Sequence, residues 1–112
     1  MSKTDPPPSD ADACRPSEPP PEGFISCELL IINRKGLHAR ATAKLVQCIE
    51  PFDAEVLVSR SGETVGGTSI MGILTLGAGP GSIIRVAAKG PDAAQVIDAV
   101  TKLVADRFGE EE

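Results

Sequence analysis

The chain predicts an α+β domain in the order β-α-β-β-α-β-α, with its three helices on one face of a four-stranded antiparallel sheet. Two observations carry that reading. Short apolar stretches alternate with period two, and between them lie longer stretches whose apolar residues recur at helical spacing. Gly, Pro, Asn and Ser clusters separate the stretches cleanly.

"FISCELLII", residues 24–32, is apolar and β-branched enough for a strand buried on at least one face, and "NRKG" after it is a turn. His38 to about Ile49 reads as a helix. Ala41, Leu45, Cys48 and Ile49 form its apolar side, Arg40, Lys44 and Gln47 its polar side, and Pro51 stops it. "AEVLVSR" alternates, with Ala54, Val56 and Val58 on one face. "SGE" is a hairpin turn, and Thr64 to Gly67 is the short returning strand. Ser69 is placed to cap a short helix, "SIMGILTL", and "GAGPG" is a loop. "SIIRVAAK" alternates Ile84, Val86 and Ala88 against Ile83, Arg85 and Ala87. "GPDAAQVIDAVTKLVADRFG" is the strongest helix. Pro91 is tolerated in its first turn, Asp92 favours its N-terminal dipole, and Gly109 ends it. Ala93, Val96, Ile97, Val100, Leu103 and Val104 make its buried stripe.

A length of 112 residues suits one small domain with a single core. The first 23 residues stand apart from it: they hold seven of the ten prolines, and five acids against two bases. Such a segment cannot bury enough surface to offset its ordering entropy. The division is therefore a disordered acidic leader over 1–23, either merely solvated or a docking tail, and a folded domain over 24–112.

A net charge of −5 argues against a nucleic-acid phosphate backbone and against an anionic membrane surface as partner. No apolar run serves as a signal peptide or reaches the ~20 residues of a membrane span. Cys14, Cys27 and Cys48 are odd in number and irregularly spaced, which argues against a disulfide framework or a zinc site and for a reducing cytoplasm. No Walker A loop, nucleophile elbow or ligand cluster is present, so neither cofactor nor metal is expected.

His38 is the only histidine, and it opens a helix. The first amides of a helix lack intrahelical partners and carry partial positive charge. A phosphate on His38 would lie beside the amides of Ala39 and Arg40, and the Arg40 guanidinium can pair with phosphate oxygens. The ring nitrogen of a neutral histidine is nucleophilic near neutral pH. From these residues alone two readings stay open: a phosphoryl carrier, or a solvated histidine that only caps the helix. The four large apolar residues of "SIMGIL" are likewise open to two readings, core filling or an exposed docking patch.

"GLHARATAKLV" and, about thirty residues later, "GGTSIMGILTLGAGPGS" resemble the HPr family, the histidine-containing phosphocarriers of the bacterial phosphotransferase system. The resemblance covers residues 24 to about 109. It implies an open-faced sandwich and a relay rather than an independent enzyme. It also implies that His38 takes a phosphoryl group on Nδ1 from phospho-Enzyme I, itself charged by phosphoenolpyruvate, and passes it to EIIA-type acceptors. Arg40 matches the arginine of that site. Ser69 matches the serine modified by HPr kinase/phosphorylase in some bacteria, and Ile70, Met71 and Leu74 match positions that contact partners. A cytoplasmic monomer is expected. Family members often carry proline where this chain has Ala41, and the alanine resembles the nitrogen-related branch more than the sugar-transport branch. The alternative is a regulatory binding module of the same fold that acts through protein contacts without phosphotransfer.

Overall fold

The computed structural model describes residues 23–110. Strands β1 (Ile25–Leu30), β2 (Glu55–Arg60), β3 (Glu63–Gly66) and β4 (Ile83–Lys89) alternate with helices α1 (Ala39–Ile49), α2 (Ile70–Thr75) and α3 (Ala93–Ala105), and a 3-10 turn at Arg107–Gly109 follows α3. The sheet order is β1-β4-β2-β3 and every neighbouring pair is antiparallel. β1 and β2 therefore run parallel with β4 between them, and β3 and β4 run parallel with β2 between them. Parallel strands cannot be joined by a tight hairpin, so α1 and α2 serve as the crossovers. Only β2 and β3 are joined directly, through Ser61 and Gly62, both at positive φ. That is the primed turn whose twist matches the strands.

Alternation decides the two faces of the sheet. Cys27, Leu29 and Ile31, Val56 and Val58, and Ile84, Val86 and Ala88 are buried against the helices. Helices α1 and α3 meet them with Ala41, Leu45, Val46 and Ile49 and with Val96, Ile97, Val100 and Val104. The other face is open, and the cross-strand pair Leu30 and Ile83 lies exposed on it. The three helices on a four-stranded antiparallel sheet are as expected.

Three local expectations are corrected. In α1 the buried side chains include Thr42 and Val46, while Cys48 is only partly buried. The inward arc runs through Ala41, Leu45, Ile49, Thr42 and Val46, which leaves Cys48 at its margin. Second, α3 ends at Ala105, not at Gly109, and Pro91 precedes its cap residue Asp92. Arg107 and Phe108 adopt positive φ of 55° and 56°, which turns the chain back so that the Phe108 ring is fully buried. Two left-handed residues cost about 1–2 kcal/mol each, and burying a Phe side chain recovers about 1.5–3 kcal/mol. The bend is close to neutral on those terms alone, so its hydrogen bonds matter. Lys44 Nζ donates to the Phe108 carbonyl at 2.7 Å, and the amides of Gly109 and Glu110 bond Asp106 and Arg107 carbonyls at 2.9 Å each. Third, Cys27 is disulfide-bonded, while Cys48 is a free thiol whose pKa burial raises. The acidic leader expected over 1–23 lies, except for Gly23, outside the described residues.

Candidate functional site

The antiparallel pairing of β1 with β4 brings the loop after β1 beside the loop before β4. Gly36 sits at φ +68°, and a Cβ there would lie 2.6 Å from the Ala78 carbonyl oxygen and 2.7 Å from Gly79 Cα. A glycine is needed for both reasons. The close approach lets the Leu37 amide donate to Ala78 O at 2.8 Å and buries the Leu37 side chain. With the loop anchored, the next residue is delivered to the start of α1.

That residue is His38. Its backbone is extended (φ −78°, ψ −179°), and it is the N-cap of α1. Its carbonyl accepts the first helical bond from the Thr42 amide at 2.8 Å, and its Nδ1 accepts from the Arg40 amide at 3.3 Å. The second bond is long for an N–H donor. No acidic residue occupies the first turn of α1, so its own sequence leaves the positive helix end uncompensated.

The opposite ring nitrogen has a different partner. Nε2 lies 2.5 Å from Glu110 Oε2, and the Asn33 amide nitrogen donates to Glu110 Oε1 at 3.0 Å and to the Gly36 carbonyl at 2.8 Å. Asn33 is fully buried, so both of its amide protons are committed and its orientation is set. The bond from Asn33 holds the Glu110 carboxyl below the ordinary glutamate range, and the bond to His38 adds to it. A carboxylate accepts only, so Nε2 carries the proton. Nδ1, which accepts from a backbone amide, keeps its lone pair.

Around the ring lies an open basin lined by Arg34, Lys35, Ala39, Arg40, Lys44, Gly109 and Glu110. Among the described residues four basic side chains thus line the basin with one carboxylate, in a chain of net charge −5. The fold has concentrated positive charge where an anion would arrive. A nucleophilic nitrogen, the amides of a helix start and a cationic surround are the requirements for accepting and holding a phosphoryl group.

Residues 25–106 match the sequence profile of the family described as PTS HPr component phosphorylation site. The chain belongs to the HPr family of phosphocarriers. A phosphocarrier protein HPr of Cupriavidus necator is 49% identical over 89 residues, which is 80% of this chain and all of the relative. A phosphocarrier protein NPr of Shewanella violacea is 37% identical over 74% of this chain and 91% of its own length. Among solved structures, an HPr from Thermoanaerobacter tengcongensis superposes with a TM-score of 0.76 at 35% identity, covering 79% of this chain and 99% of that one. The open-faced sandwich and the phosphocarrier role of the family are thus this chain's own.

Within this HPr-family fold the other expected site residues fall on α2, which packs against α1 and β3. Ser69 Oγ accepts from the Gly72 amide at 3.1 Å, so the serine caps the helix as its position implied. Ile70 and Met71 are 42% and 71% exposed, Leu74 is partly buried, and Ile73 is the side chain that enters the core. None of the four expected α2 residues lines the basin at His38. The helix offers its apolar surface beside the site, not within it.

Three residues at the site had no signal in the sequence. Glu110 belongs to a C-terminal "GEEE" run that reads as solvated charge, and its contact with His38 spans 72 residues. Asn33 reads as a turn residue, and Lys44 as part of a polar helix face. Only the reversal at Phe108 brings the carboxylate home.

Proposed function

We propose that His38 is the phosphoryl carrier. It accepts the group on Nδ1 from phospho-Enzyme I and hands it to EIIA-type acceptors in the cytoplasm, with the chain acting as a monomeric relay. The observation that carries this reading is the state of the ring: the lone pair of Nδ1 faces the helix start while Nε2–H is held by Glu110. Transfer proceeds by attack of that lone pair on phosphorus. The bond from phosphorus to the donor atom breaks, and its electron pair stays with the donor. The weak bond from the Arg40 amide then passes from the ring to a phosphoryl oxygen. The Ala39 amide lies in the same orphan turn, and the Arg40 guanidinium supplies charge.

Docking falls to Ile70, Met71 and Leu74. Ser69 is the regulatory position: a phosphate on it would add roughly two negative charges beside that patch. Those charges would repel an acidic Enzyme I surface and slow the charging of His38. Ala41 at the position where proline is common points to the nitrogen-related branch. The higher identity to a relative called HPr than to one called NPr does not favour that branch.

Incubation with Enzyme I and phosphoenolpyruvate should give an acid-labile mass gain in the wild type and none in His38→Ala. A gain that persists in the variant, or is absent in the wild type, would overturn the relay. Ser69→Asp should be charged more slowly than the wild type, and an equal rate removes the electrostatic account of regulation. A regulatory binding module of the same fold remains the alternative, favoured by the exposed apolar side chains of α2. It predicts partner binding unaffected by His38→Ala.

A further inference from the structure

We infer that Glu110, clamped by Asn33, is a positioning residue for phosphoryl transfer: it keeps the proton on Nε2 of His38 and balances the charge of the ring once Nδ1 is phosphorylated. The inference rests on His38 being the phosphoryl carrier, and it adds a residue at the far end of the chain.

A neutral imidazole has two tautomers, and only the one protonated on Nε2 leaves Nδ1 free to attack. The Arg40 amide favours that tautomer through a bond of 3.3 Å, too long to decide the matter. Glu110 is the stronger influence, because a charged acceptor 2.5 Å from Nε2 has no use for a ring that lacks a proton there. The carboxylate cannot easily turn away. Its second oxygen is held by Asn33 at 3.0 Å, and its backbone amide is bonded to Arg107 O at 2.9 Å. The tight bend at Phe108, locked by Lys44, fixes the segment from behind.

The same carboxylate acts again after transfer. When Nδ1 bonds to phosphorus while Nε2 keeps its proton, the ring becomes cationic, and Glu110 offsets that charge. A protonated phosphoimidazole is also the better leaving group when the next acceptor attacks. The electron pair of the N–P bond then returns to Nδ1 and restores the starting tautomer. Among the described residues the charged groups around the ring are Arg34 and Lys35 from the loop after β1, Arg40 and Lys44 from α1, and Glu110 from the C-terminal segment. Those cations repel a cationic ring, and among the described residues of the basin Glu110 is the one that attracts it.

The test charges the full chain with phosphoramidate, so that it does not depend on recognition by Enzyme I. Nδ1 attacks phosphorus, the P–N bond breaks, and ammonia leaves. Glu110→Gln keeps size and removes charge; Glu110→Asp keeps charge. Nitrogen NMR of the uncharged protein should show the Nε2–H tautomer dominant in the wild type and diminished in Glu110→Gln. Charging should slow about tenfold in Glu110→Gln, the size of effect that follows loss of the carboxylate that orients a metal-bound histidine. The pH below which hydrolysis of the phosphoryl group accelerates should fall by about one unit, the effect of one charge-assisted contact. Glu110→Asp should recover part of each change. Tautomer ratio and hydrolysis profile identical in Glu110→Gln and wild type would overturn the inference. So would equal effects of the Asp and Gln variants when both melt with the wild type. If these changes appear while Enzyme I fails to charge the wild type, the positioning role stands and the assignment of the donor falls.

Discussion

His38 and Glu110 are joined only because Asn33 and Gly36 are where they are. Gly36 is the residue that lets the loop pass within van der Waals contact of Ala78, so Gly36→Ala should combine a left-handed strain with a backbone clash. We expect it to destabilise the fold by about 2–4 kcal/mol in urea unfolding. Glu110 gives the site a pH dependence whose sign can be worked out. Its carboxyl is depressed in the fold, so the unfolded state binds the proton more tightly. The stabilisation it brings is present above the ordinary glutamate range, about pH 4.3, and is lost as pH falls below that through the depressed value. An NMR titration should therefore show the Glu110 carboxyl carbon titrating below the ordinary glutamate range. In Glu110→Gln that portion of the acid-side loss of stability should vanish.

At the level of elements, α3 and α2 each do something that hydropathy did not foretell. The apolar stripe of α3 was visible through Val104, but the pattern gives no hint that helix gives way to a left-handed turn at Arg107. What stops it is tertiary: Phe108 reaches a core position that a continued helix would not offer, and Lys44 of α1 secures its carbonyl. Phe108→Ala should cost about 3–5 kcal/mol, the usual range for a buried Phe, and should also broaden the NMR signals of Glu110 and His38. Helix α2 shows the reverse case. Its sequence has too many large apolar residues for its length, and Met71 accordingly projects into solvent at 71% exposure. Met71→Ala should leave stability within about 0.5 kcal/mol and raise the KM for Enzyme I with little change in kcat. A fall in kcat at constant KM would place Met71 in the chemistry rather than in docking.

For the molecule as a whole, the sheet order β1-β4-β2-β3 decides which loops meet. It sets the end of β1 beside the start of β4 at one end of the sheet, and the site is assembled there from segments far apart in the chain. A domain boundary at residue 24 predicts that a chain starting there melts at the temperature of the full chain and is charged at the same rate. A lower melting temperature would mean that residues 1–23 contribute to the fold.

By itself the sequence determined the element order, the inward faces of the strands, the caps at His38 and Ser69, and the candidate nucleophile. These depend on local periodicity and on backbone groups a few residues away, which the chain carries wherever it goes. Only the tertiary structure decided which ring nitrogen holds the proton. That choice belongs to Glu110 and Asn33, the first separated from His38 by 72 residues. A charge near a chain end and an asparagine in a turn have no periodic signature. They acquire a role when the sheet pairing and the bend at Phe108 bring them within hydrogen-bonding distance.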